Sequence, residues 1–266
     1  MTNNQSLPAL LASDAIKRRF DEVLGKNANS FIQNLLAVYN GNPQLKRCEP
    51  LSILAAAGLA ATLNLSVAPS LGHAYIVPFG DKAQFNVGWK GLVQLAHRTG
   101  RYTALHAGPV KEGQIREIDF VTGGIVKGEK ISDTVVGYIA FMELDNGFQK
   151  TLYMTTDAIE QHAIKYSKSY QFDKKSGKKT STWSTNFDAM ACKTVLKKLL
   201  GNYGLLNADL TTAIQADQSA VTKDTFTYVD YSGEVVQRDS FANLDNQPTE
   251  IVNDETGEVV PTSDED

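Results

Sequence analysis

"HAYIVPFGDKAQFNVGWKGLVQLAHRTG", residues 73–100, changes character halfway, and that change sets the fold class. The first part, HAYIVPFGDKAQFNVG, reads as two short strands around a tight Gly80-Asp81 turn. The second part, WKGLVQLAHRTG, reads as a helix that stops at Gly100. On the N-terminal side the chain is helical. SDAIKRRFDEVLG offers Ser13 as N-cap, Ile16, Phe20, Val23 and Leu24 at helical spacing, and Gly25 as a stop. SFIQNLLAVYNGNP repeats that design from Ser30 to Gly41, and Pro50 suits the first turn of LSILAAAGLAATLNL. On the C-terminal side, RYTALHAGPV, QIREIDFV, TVVGYIAFMEL and QKTLYMT carry strand signals separated by Gly-rich or Asp-Asn-Gly turns. A helix from Thr156 to about Lys165, a polar loop SKSYQFDKKSGKKTST, a helix WSTNFDAMACKTVLKKLLGNYG from Trp183 to Gly204 and a short helix near 208–219 follow. The class is α+β. Three regions are expected: a helical N-terminal region (1–62), a core (63–220) and an acidic tail (221–266) too polar to fold.

The net charge of −4 conceals a division. Residues 209–266 hold fourteen acids against two bases, which leaves 24 bases against 16 acids in residues 1–208. A basic body with an acidic tail points to a polyanionic partner for the body. Two cysteines give no disulfide framework, no signal-peptide pattern opens the chain, and no apolar run reaches the roughly 18 residues of a membrane span. A soluble intracellular protein is expected.

Catalytic patterns fail on inspection. GGIVKGEK (123–130) spaces Gly123 and Gly128 as a P-loop does, but Glu129 stands where the phosphate-binding lysine belongs. In SGKKTST, Phe172 occupies the position five before Gly177. His73, His97, His106 and His162 have no zinc-site spacing, Cys48 and Cys192 lie far apart, and Glu117 and Asp119 alternate along a strand as a solvated pair would. No catalytic residue and no metal ligand is assigned.

Two basic surfaces remain. Lys90, Gln94 and Arg98 recur at four-residue steps beside Trp89, with Arg101 just beyond Gly100. On the helix from Trp183, one half of the wheel carries Ala189, Ala191, Cys192, Val195, Leu196, Leu199 and Leu200, while Lys193, Lys197 and Lys198 share the other with Trp183 and Phe187. The preceding loop adds Lys178 and Lys179 among six lysines from Lys165 onward. Lysines neutralise phosphates and rings stack unpaired bases, so single-stranded nucleic acid suits the combination. Packing of both rings into a second layer is the alternative.

The stretches LNLSVAPSLGHAYIVPFG (63–80), NVGWKGLVQLAHRTGRY (86–102) and WSTNFDAMACKTVLKKLL resemble, in order, motifs of the RecT family of phage single-strand annealing proteins. The resemblance runs from about Leu63 to Asn207. It implies a small antiparallel sheet packed on helices, as in eukaryotic single-strand annealing proteins. It also implies ATP-independent binding and annealing of single-stranded DNA in phage recombination by oligomers or filaments. The implied partners are single-stranded DNA, the annealed duplex intermediate and further copies of the chain, with host single-strand-binding protein and a phage exonuclease as further candidates. No membrane and no required cofactor are implied, Mg2+ entering only as an effector of DNA binding, and the location is the bacterial cytoplasm. Lys90, Arg98, Lys193, Lys197 and Lys198 match the family's basic positions. Trp89 stands where many relatives carry Tyr. Cys192 replaces a frequent basic residue, which removes one phosphate contact, and the lysine-rich loop 168–180 is a candidate substitute. A metal-dependent nuclease and a phage scaffolding oligomer are the competing classes.

Overall fold

The structure is a computed structural model that describes residues 6–217 apart from position 120, and beyond them only the backbone of short strands. Four helices open it: α1 (Leu7–Ala12), α2 (Asp14–Leu24), α3 (Ala28–Gly41) and α4 (Pro50–Thr62). Ser13 and Gly25 bound α2 as expected, with Gly25 at φ 53°. Helix α1 is an addition to the expected elements. Through Ile53, Ala56, Ala57 and Ala60, α4 buries a nearly side-chain-free face, which lets the first hairpin pack closely on it.

That hairpin is β1 (Ala74–Phe79) and β2 (Lys82–Val87), in register from Ala74↔Val87 to Phe79↔Lys82. Gly80 has φ 62°, the left-handed conformation that a two-residue turn demands. Helix α5 (Trp89–Arg98) leaves β2 at once. Its entry is possible only without side chains. A Cβ on Gly88 would lie 2.0 Å from the Gly72 carbonyl oxygen, and one on Gly91 would lie 2.1 Å from that of His73.

Next come β3 (Tyr102–Lys111), β4 (Ile115–Ile118), β5 (Ile125–Lys127), β6 (Val135–Leu144) and β7 (Gln149–Thr155). Strands β3, β6 and β7 form an antiparallel sheet in that order, and β4–β5 is a separate hairpin within the β3–β6 connection. Strand β5 is a second addition; it arises from the segment with P-loop-like glycine spacing. Gly128 is needed there because a Cβ would lie 2.2 Å from the Gly113 carbonyl oxygen. Helices α6 (Thr156–Tyr166), α7 (Lys168–Ser176), α8 (Thr182–Thr185), α9 (Phe187–Tyr203) and α10 (Ala208–Ala216) complete the body.

Two expectations are corrected. The polar loop after α6 contains α7, and the helix expected to run unbroken from Trp183 breaks at Asn186, whose φ of −147° and ψ of 57° are not helical. Helix α9 packs on β3, β6, β7 and α5 and is buried on nearly every side, so it is the central strut rather than an amphipathic surface helix. One buried cluster runs from Leu7 to Ala216 and crosses the boundary expected near residue 62. Past Asp217, backbone is described for β8 (Ala220–Thr222), β9 (Thr225–Val229), β10 (Val235–Val236), β11 (Ile251–Val252) and β12 (Val259–Val260), with β8 paired to β2 at Gln84↔Ala220. The rest of the tail, for which disorder is expected, lies outside the described residues.

The observed class is the expected one: α+β, with small antiparallel sheets packed on helices.

Candidate nucleic-acid interface

Lys193 and Lys197 sit one turn apart on α9 and do not face solvent: they are only 7% and 9% exposed. The end of α10 covers them. Lys193 Nζ donates to Asp217 Oδ1 at 2.7 Å and Lys197 Nζ to Oδ2 at 2.8 Å, while the Val87 N–H donates to Oδ1 at 3.1 Å. Burial alone would raise the Asp217 carboxyl, but the two ammonium charges outweigh it and hold the group below its ordinary range. Burial pulls Lys193 down, and the neighbouring Lys197 charge adds to it, against the attraction of Asp217. The exposed basic face expected for Lys193 and Lys197 is therefore corrected: one acid clamps both lysines and fastens α10 to α9 and β2. Lys198, the next residue, is exposed.

Lys198 opens onto a cleft of about 350 Å3 lined by His162, Tyr166, Lys197, Gly201, Asn202 and Ile214. Burial, then the charges of Lys198, Lys197 and Lys165, pushes the His162 imidazole down to about 4. Its ring lies 4.7 Å from that of Tyr166, and Lys165 Nζ lies 5.2 Å from the Tyr166 ring centre. His162, Tyr166 and Asn202 were missed by sequence reasoning. The spacing of His162, Lys165 and Tyr166 on one helix face was the available signal.

The rings resolve toward packing. Trp183 is 6% exposed, edge-on to Phe187 at 5.5 Å and 6.2 Å from Tyr170. Phe187 is half-buried and stands 6.0 Å from Tyr138. Trp183 as a base-stacking residue is corrected on this ground, since stacking would take it out of the core. Cys192 is likewise buried, beside Tyr138, and burial followed by the Asp188 charge pushes its thiol up to about 11. Position 192 does not face solvent, so it offers no phosphate contact in this structure.

On α5, Lys90, Gln94 and Arg98 are exposed along one face, with Trp89 half-buried beside them. Arg98 also secures a helix end. Its two terminal nitrogens donate to the carbonyls of Leu63 at 2.6 Å and Asn64 at 2.7 Å, capping α4. Burial, then the charges of Arg98 and Lys90, lowers His73, which places all three in one basic neighbourhood. Arg101 is paired instead: its Nε donates to Asp145 Oδ2 at 2.5 Å.

Lys178 and Lys179 are exposed on a loop that Asp173 ties down. The Asp173 carboxylate accepts from Thr180 N–H (2.9 Å), Thr180 Oγ1 (2.6 Å), Ser181 N–H (2.7 Å) and Ser184 Oγ (2.7 Å). Burial alone would raise this carboxyl, and those hydrogen bonds outweigh it and hold it well below the ordinary range. No pattern in the sequence points to Asp173.

Among the described residues, no three His, Cys, Asp or Glu side chains gather as a metal site would require, and no helix is long and apolar enough to cross a membrane. The model of the RecT family matches residues 29–257. The chain is 38% identical to protein YqaK of Bacillus subtilis over 246 residues, covering 92% of this chain and 80% of that protein. It is 30% identical to protein RecT of Escherichia coli over 189 residues, covering 66% of each chain.

Proposed function

Because this chain belongs to the RecT family, whose role is single-strand annealing in recombination, we propose that it binds single-stranded DNA and anneals complementary strands without hydrolysing ATP. One observation carries the reading: Lys90, Lys165, Lys178, Lys179 and Lys198 are exposed, and among the described residues none lies within ion-pair distance of a carboxylate. Such groups hold phosphates as point charges and leave base edges open for a second strand to test. Arg98, Gln94, Trp89 and Phe187 complete the contacting set in this reading. No bond is made or broken, so the protein acts as a binding surface rather than an enzyme. Mg2+ acts on this surface as a competitor for phosphates rather than as a cofactor.

Assembly into oligomers or filaments is part of the proposal. A groove between α2 and α4, lined by Ile16, Phe20, Val23, Leu51 and Leu54, supports it, since Val23 and Leu51 are 49% and 51% exposed. The N-terminal helices are then the oligomerisation region, and the bacterial cytoplasm is the place of action, with host single-strand-binding protein and a phage exonuclease as candidate partners.

The test is a gel shift with single-stranded oligonucleotides, with annealing followed by fluorescence. Lys198→Glu should weaken both, and Lys198→Gln should reduce the salt slope of binding by about 0.7, the share of the one phosphate that Lys198 neutralises. Cleavage of labelled DNA in Mg2+ would favour a nuclease, and oligomers that ignore DNA would favour a scaffold.

A further inference from the structure

The cleft between α6, α9 and α10 gathers positive charge, and no acid stands among its described lining residues. His162 and Tyr166 line it from α6, Lys197 and Lys198 from α9 and Ile214 from α10, while the Lys165 charge also acts on His162 and the Trp183 ring of α8 lies 6.4 Å from the His162 ring. Lys197 is paired with Asp217, both of whose oxygens are engaged, by Lys193 and by Lys197. One turn beyond Lys197 and Lys198, Gly201 leaves open space where a side chain would project, and Asn202 offers an amide. A small anion with several acceptor oxygens meets donors from two helices here.

We propose that this cleft holds a backbone phosphodiester of the bound strand, and that His162 takes up a proton as the phosphate enters. The proposal rests on the annealing reading above and adds the group recognised and its control by pH.

In the free protein His162 is neutral near physiological pH, because it is half-buried among three ammonium groups that oppose a fourth positive charge. A phosphodiester placed among them cancels one of those charges and favours imidazolium, which donates from both ring nitrogens. The imidazole then returns toward its ordinary value of about 6.5. The complex binds more protons than the free protein, so affinity rises as pH falls through the bound-state value. From a free value near 4, full restoration of the ordinary value would make binding roughly tenfold tighter at about pH 5.5 than at about pH 7.5, and the burial that persists makes this the ceiling.

Binding of oligo(dT), whose bases do not titrate in this range, is measured at constant ionic strength across that interval for wild type, His162→Gln and Lys198→Gln. The wild type should show a gain of several-fold and up to roughly tenfold, His162→Gln should lose most of it, and Lys198→Gln should bind more weakly at every pH. Calorimetry of the wild type near pH 6, in buffers of different ionisation enthalpy, should show proton uptake. This measurement decides alone if His162→Gln does not fold. Binding with the same pH profile in wild type and His162→Gln, or with no buffer-dependent heat, overturns the cleft proposal and leaves the annealing reading standing. No binding of oligo(dT) by the wild type overturns both.

Discussion

Replacing Asp217 by Asn tests how the body is closed. The carboxylate is the shared partner of two buried ammonium groups and the acceptor for the Val87 N–H. Asn keeps one acceptor oxygen but presents an NH2 group to at least one lysine. Breaking a buried pair by removing one partner costs about 3–5 kcal/mol. A lysine can escape the penalty by losing its proton. From an ordinary value near 10.4, that costs at most about 4.6 kcal/mol at pH 7 and about 1.4 kcal/mol less for each pH unit above it. The ceiling and the mutational range agree, so a loss of about 3–5 kcal/mol is expected at pH 7, shrinking by up to about 3 kcal/mol at pH 9.5. Stability rises with pH at both ends of the scale. Asp217 is depressed in the wild type, so its stabilisation is present above the unfolded value and is lost as acid titrates the folded one. Lys193 is depressed too, so stability rises with pH between its folded value and the unfolded one. Urea denaturation at both pH values measures the effect. The triple variant Lys193→Met/Lys197→Met/Asp217→Leu should recover most of the lost stability. A loss under about 1 kcal/mol in Asp217→Asn would refute the buried clamp.

Truncation after Thr222 should leave a cooperatively folding body, whereas truncation after Ala216 removes the clamp and should lower stability about as much as Asp217→Asn, by about 3–5 kcal/mol in the same denaturation assay. Gly91→Ala forces a Cβ to within 2.1 Å of the His73 carbonyl oxygen, where only backbone can yield, and a loss above about 2 kcal/mol is expected on thermal melting. Asp173→Ala releases the segment 180–184, so limited trypsin digestion should cut at Lys178 or Lys179 well before it cuts the wild type. Arg101→Gln should change stability by less than about 1 kcal/mol, because its pair with Asp145 is exposed.

What the sequence made legible was punctuation and period. Gly80 and Gly100 mark the hairpin turn and the end of α5 because both positions adopt left-handed backbone, at φ 62° and 69°. Helix α7 escaped because its local composition favours a loop, and it owes its ordering to Asp173, whose partners lie seven to eleven residues on. A helical wheel groups Lys193, Lys197 and Lys198 on one face but cannot say what covers that face. Asp217, twenty residues beyond Lys197, covers two of the three and leaves the last. Trp183 and Phe187 misled for the same reason: ring and lysine neighbours on a wheel are separated in space once α8 breaks from α9 at Asn186.

The formal surplus of bases in residues 1–208 is therefore unevenly spread. Arg18, Arg101, Lys111, Lys130 and Lys174 have acidic partners, Glu22, Asp145, Asp133 and Glu160, and Lys193 and Lys197 share Asp217. An exposed base paired with an acid contributes little field beyond a Debye length of about 8–10 Å, because the two charges cancel at that range. Net attraction for a polyanion must come from bases without such partners. Among the candidates and the described residues these are Lys90 and Arg98 on α5, Lys165 on α6, Lys198 on α9, and Lys178 and Lys179 beyond α7. Lys198 lines a concave site whose low-dielectric walls strengthen its field, and the Lys165 charge acts on the same His162 imidazole. The depressed His162 owes most to burial and the rest to that field, to which a proton and a phosphate respond with opposite sign. The charges that add to this depression are the ones that draw a phosphate into the cleft, while burial opposes the proton and the anion separately and less when they enter as a pair.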